Sequence, residues 1–150
     1  MHLDADVAEI LVSREQIQAR IAELGKQISA DFETLNPILV CVLKGAVPFL
    51  ADLIRCLDMQ LEIDFMAISS YGGKRVESTG VVRILMDLTA NIEGRHVLVV
   101  EDIVDTGRTL DYILHNLETR RPASLNVCAN VKCVSKLPPG RSLASCNCRA

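Results

Sequence analysis

No apolar run in this 150-residue chain approaches the roughly 18 residues that a helix needs to cross a bilayer. A transmembrane reading is therefore excluded at the level of pattern. The opening stretch, "MHLDADVAEI", carries acids where a secretory signal carries basic residues. The expected compartment is the cytoplasm, and no membrane partner is expected. A strong charge of either sign is also missing. The formal net charge is −3, so neither a nucleic-acid partner nor an acidic interaction tail is implied. No internal repeat is visible. Two further absences are local: no Asp or Glu follows Glu118, and no Phe, Tyr or Trp follows Tyr112. What is present is 49% apolar composition, enough for a real core in one ordinary domain.

The six cysteines do not suggest a disulfide framework. Cys41 and Cys56 lie in apolar segments and read as small buried hydrophobes. Cys128, Cys133, Cys146 and Cys148 cluster late, with a spacing that fits no standard structural zinc site. Reduced thiols are expected.

Hydrophobic periodicity lays out alternating helices and strands. Ser13 to Leu35 reads as an amphipathic helix, with Ser13 and Gln16 forming a capping box and Ile17, Ile21, Leu24 and Ile28 at helical spacing. "ILVCVLK" (Ile38 to Lys44) is a short apolar run that predicts a buried strand. Ala46 to Asp58 predicts a helix, with Pro48 tolerated in its first turn. Gln60 to Ser70 alternates and predicts a second strand. "YGGKRVESTG" (Tyr71 to Gly80) predicts a long exposed loop. Strands follow over Val81 to Leu88 and His96 to Asp102, then a helix over Gly107 to Glu118 and a strand over Ala123 to Cys133. His96, just before a strand, and His115, on a helix, read as structural. The alternation predicts an α/β fold with a mostly parallel sheet.

One stretch resists a purely structural reading. In "HVLVVEDIVDTGRTL" a buried-looking strand runs into Glu101 and Asp102, with Asp105 close behind. Crowded carboxylates repel and are costly to desolvate. The bland account is a solvated strand end plus an N-cap. The following turn, Asp105-Thr106-Gly107-Arg108-Thr109, points further. Its backbone N–H groups can cradle an anion at a helix N-terminus, and Gly107 permits close approach. A phosphate site thus adjoins a carboxylate site. A phosphorylated sugar satisfies both, its hydroxyls and a Mg²⁺ ion meeting the carboxylates.

These residues resemble the phosphoribosyl-diphosphate signature of the type I phosphoribosyltransferases, and "EDIVDTG" is closest to the hypoxanthine–guanine branch. "LVCVLKGAVPFLADLIR" resembles that family's diphosphate loop and following helix, and "DFMAISSYGGKRVESTGVVRI" its lid with a Ser-Tyr pair. The resemblance runs from about Glu9 to Cys128, with the motifs in family order.

The resemblance implies a fold, an activity and a set of roles. The fold is a type I phosphoribosyltransferase-like, mostly parallel sheet flanked by helices, with its C-terminal part incomplete. The activity is purine salvage: transfer of phosphoribose from phosphoribosyl diphosphate to hypoxanthine or guanine, with Mg²⁺. Glu101 and Asp102 hold the ribose hydroxyls and the Mg²⁺. Asp105 serves as general base at the purine N7. Asp105, Thr106, Gly107, Arg108 and Thr109 bind the 5′-phosphate. Lys44 and Gly45 contact the diphosphate, often with a cis peptide entering the lysine. Ile103 packs on the purine, and Ser70 and Tyr71 close over the diphosphate. A homo-oligomer, dimer or tetramer, is implied as well.

After Cys128 the resemblance stops. The family's usual continuation supplies a lysine and an aromatic for the base, and none is recognisable here. The expectation is a phosphoribosyltransferase domain over 1–133 and an irregular non-family tail over 134–150. Two other readings follow from that departure: a catalytically defective phosphoribosyl-diphosphate binder, or a regulatory RNA-binding relative. An RNA binder should show a basic face, and the region before the tail is net acidic, which argues against that reading.

Overall fold

The computed structural model describes residues 10–70, 82–104 and 107–132. Helix α1 (Arg14–Phe32) begins with the expected capping box. The N–H of Gln16 donates to Ser13 Oγ at 3.2 Å, and the Ser13 N–H donates to Gln16 Oε1 at 2.8 Å. These two bonds satisfy donors that the first helical turn would otherwise leave open. The helix ends three residues before the periodicity suggested.

Strand β1 (Ile38–Leu43) is followed by helix α2 (Val47–Ile54) and strand β2 (Glu62–Ser70). Strand β3 (Val82–Met86), strand β4 (His96–Val104), helix α3 (Arg108–Glu118) and strand β5 (Ser124–Lys132) complete the order. The expected loop over Tyr71 to Gly80 and the expected tail over 134–150 lie outside the described residues.

The sheet runs β3-β2-β1-β4-β5. All neighbours pair parallel except β2 with β3, an antiparallel edge pair with a bulge between Ala67 and Ile68. Side chains of β1 alternate between two cores, as a fully covered strand requires. Leu39 and Cys41 face α1 and α2, together with Leu98 and Val100 of β4 and Cys128 of β5. Ile38, Val40 and Val42 face the layer that holds α3, together with Val97, Val99 and Val127. The mostly parallel α/β architecture matches the expectation from sequence.

Three details differ from it. Helix α2 stops at Ile54, because the amides of Cys56 and Leu57 turn back to Leu53 O and Ile54 O and tighten the chain. Cys56 is consequently exposed, not a buried hydrophobe. It packs closely enough that a β-carbon on Gly25 of α1 would lie 2.6 Å from Cys56 Cβ. Strand β4 continues two residues past Asp102, because β5 runs beside it and pairs Ile103 with Val131 and Val104 with Lys132. His96 opens β4 where the expected strand begins, and its Nδ1 lies 2.8 Å from Ser124 Oγ. Among the described residues, no helix is long and apolar enough to cross a membrane.

Candidate active site

Strand order reverses once in this sheet. From β1 the chain builds outward to β2 and β3, then returns to place β4 on the other side of β1. Neighbouring connections diverge there and leave a crevice beyond the carboxyl ends of β1 and β4, where open α/β sheets bind ligands. Cys41 pairs with Val100, so Lys44 and Gly45 emerge from β1 close to the level at which Glu101 and Asp102 sit on β4.

The two stretches touch. A β-carbon on Gly45 would lie 2.7 Å from Asp102 Oδ2 and 3.3 Å from its Cγ. Only a residue without a side chain fits here with Asp102 where it stands. The peptide bond entering Lys44 is cis, as the family resemblance implies. Lys44 is exposed. Asp102 is also fixed from its own strand, because its Oδ1 accepts from the Ile103 N–H at 2.8 Å.

Burial and charge act together on the acids. Burial, then the Asp102 charge, pushes the Glu101 carboxyl up to about 7. On β1, burial raises the Cys41 thiol to about 11, and the two carboxylates add to that effect. Among the described residues neither acid has an ion-pair partner. The pair is thus a site of unbalanced negative charge, and hard oxygen donors of this kind suit a hydrated Mg²⁺ that takes its other ligands from substrate and water.

Beyond the acids, Ile103 is 54% exposed, an apolar residue held open at the end of a buried strand. Gly107 is the N-cap of α3 at φ 74°, a left-handed conformation that glycine adopts without strain. A glycine cap has no side chain to satisfy first-turn N–H groups, so those of α3 are available to an anion. Arg108 and Thr109 begin the helix and are exposed.

Of the predicted site residues, the fold thus gathers Lys44, Gly45, Glu101, Asp102 and Ile103 at the crevice, and Gly107, Arg108 and Thr109 open the helix that follows β4. Ser70 ends β2, opposite Val82. Tyr71, Asp105 and Thr106 lie outside the described residues. Sequence reasoning placed Cys41 only in the core. Its place beside Val100, one residue before the acids, depends on the β1–β4 register, for which the sequence holds no local signal.

Comparison with known proteins adds the decisive observation. The phosphoribosyl transferase domain model matches residues 8–142. The chain belongs to the phosphoribosyltransferase family. Among phosphoribosyltransferases, it is 50% identical over 125 residues to the hypoxanthine-guanine phosphoribosyltransferase of Streptococcus thermophilus, covering 83% of this chain and 69% of that protein. It is 51% identical over 123 residues to the hypoxanthine-guanine-xanthine phosphoribosyltransferase of Tritrichomonas foetus, covering 82% and 66%. The crystal structure of a hypoxanthine phosphoribosyltransferase from Staphylococcus aureus superposes with a TM-score of 0.80 at 36% identity, covering 89% of this chain and 82% of that one. The fold and the branch of the phosphoribosyltransferase family are those the motifs indicated.

Proposed function

We propose that this chain transfers phosphoribose from phosphoribosyl diphosphate to hypoxanthine or guanine, giving IMP or GMP and diphosphate, as a cytoplasmic purine-salvage enzyme. The observation that carries the reading is the contact of Gly45 with Asp102. It joins a diphosphate-loop residue to a ribose-binding acid across the switch point of the sheet. The names of the relatives support the purine acceptor.

In this reading a purine nitrogen attacks C1 of the sugar as the bond from C1 to the diphosphate oxygen breaks. Positive charge grows on the ribose ring, and the carboxylates of Glu101 and Asp102 favour it. Lys44 and the Gly45 backbone hold the departing diphosphate. The first-turn amides of α3, with Thr106 and Thr109, hold the 5′-phosphate. Ile103 lies under the purine, Ser70 and Tyr71 cover the diphosphate, and Asp105 handles the proton at N7. Glu101 and Asp102 would hold a Mg²⁺ ion, which would supply charge neutralisation for the leaving group. The phosphoribosyltransferase domain is proposed to end near residue 133, although the family model matches as far as 142. The active form is proposed to be a homo-oligomer, a dimer or tetramer.

The direct test mixes protein, phosphoribosyl diphosphate, Mg²⁺ and hypoxanthine and follows IMP by absorbance. Binding of the sugar diphosphate by calorimetry without product would overturn transfer and leave a defective binder. In an active protein, Asp105→Asn should lower turnover by about 10²–10⁴-fold with little change in sugar-diphosphate affinity. A comparable loss of affinity would refute the assignment of Asp105 as base.

A further inference from the structure

We infer that Gly45 is a positioning residue for Asp102, in addition to its contact with diphosphate. The inference rests on the functional reading above and concerns what the missing side chain at position 45 does. Asp102 is a short side chain held at two points. Its Oδ1 accepts from Ile103 N–H at 2.8 Å. Its Oδ2 rests against the Gly45 backbone, at 2.7 Å from the place a β-carbon would occupy. Contacts below 3.0 Å force a movement. The backbone on the Gly45 side follows β1 directly and leads into α2, whose Phe49, Leu50 and Leu53 are buried in the core. The carboxylate is therefore the part that yields. Rotation away from Gly45 also disturbs the bond from the Ile103 N–H to Oδ1. The loop after β1 thereby sets the orientation of an acid on β4, so the diphosphate and ribose subsites share one steric joint.

Ala46 is the N-cap of α2 and is fully buried, which fixes the position of the joint on the loop side. Among the described residues Glu101 has no equivalent constraint: no hydrogen bond holds its carboxylate, and no glycine backbone lies against it. Of the two neighbouring acids, Asp102 is the one that position 45 seats.

A double-mutant cycle tests this with wild type, Gly45→Ala, Asp102→Ala and the double variant. Gly45→Ala should raise KM for phosphoribosyl diphosphate about tenfold, as small misplacements of binding groups do. With the Asp102 carboxylate removed there is nothing to displace, so adding Gly45→Ala to Asp102→Ala should change KM by no more than about twofold. Equal losses in both backgrounds would overturn the inference and leave Gly45 acting only through its own contact with diphosphate. Unchanged KM in the single variant would overturn it too. The same four proteins melted without ligand separate this inference from the functional one. Gly45→Ala should lower Tm by about 2–4 °C in wild type and by clearly less beside Asp102→Ala, and additive shifts count against the joint. A wild type that binds no phosphoribosyl diphosphate but shows the non-additive melting refutes the proposed function and leaves the steric coupling standing.

Discussion

Two carboxylates, the buried Asp64 on β2 and the half-buried Glu101 on β4, experience opposite surroundings. Asp64 is 6% exposed, and burial alone would raise its pKa. Instead the N–H groups of Ala90, Phe65 and Thr89 and the Thr89 hydroxyl all donate to it, and together they hold it below the usual carboxylate range. Glu101 has burial and a neighbouring acid and, among the described residues, no such donors, and its carboxyl is raised to about 7. The first arrangement is complete in itself and pins the segment after β3 to the sheet. The second is incomplete among the described residues. An acid whose hydrogen bonds are all internal serves the fold, whereas an acid left short of donors serves a ligand.

The largest effect should separate the two by binding. Glu101→Gln should weaken phosphoribosyl-diphosphate affinity by about 10–100-fold in calorimetry, the scale of a lost charge-assisted contact. Asp64→Asn should leave that affinity nearly unchanged in whatever fraction remains folded. Equal losses in both variants would erase the distinction.

Stability should show the reverse ranking. Asp64→Ala leaves three backbone donors without their acceptor in a buried place, at a cost of about 3 kcal/mol in denaturant unfolding. Glu101→Gln removes a repulsive, half-buried charge and should be neutral or stabilising at pH 7. A destabilised Glu101→Gln protein would show that Glu101 has internal partners after all.

The pH dependence sharpens the contrast further. The folded pKa of Glu101 lies above its ordinary value of 4.5, so the folded state holds a proton that the unfolded chain releases. That contribution is complete below pH 4.5 and is lost as pH rises through about 7. With solvent screening it amounts to about 1–2 kcal/mol, and Glu101→Gln should flatten it. Asp64 has the opposite sign. Its folded pKa lies below the ordinary 3.8, so its contribution is present above that value and is lost as pH falls further. Stability curves measured from pH 3 to pH 8 on both variants would reveal the two slopes.

The sequence made some of this legible and hid the rest for physical reasons. Ser13 and Gln16 announce α1 because capping is local, settled within four residues. The apolar run Ile38 to Leu43 announces a strand covered on both faces, and the acids after Val100 announce a ligand-binding strand end. Asp64 left a weaker trace: it occupies the same face of an alternating strand as Met66 and Ile68, where an acid is out of place. Its partners Thr89 and Ala90 lie beyond the segment that links β2 to β3, so no local pattern names them. The exposure of Cys56 depends on where α2 unwinds, which periodicity places poorly. The contact of Gly45 with Asp102 belongs to strand order and register, and both emerge only when the sheet is assembled.

The pairing of β1 with β4 has a last consequence, for how the protein acquires competence as it folds. Ile38 meets Val97 across a long intervening stretch of chain. Local contacts can organise α1, or β1 with α2, well before that closure, but none of them brings Gly45 to Asp102. Long-range closure is the slow, entropically costly part of folding such a topology. In a refolding experiment, capacity to bind phosphoribosyl diphosphate should therefore appear late, after most helical signal has returned, making ligand binding a reporter of the completed sheet.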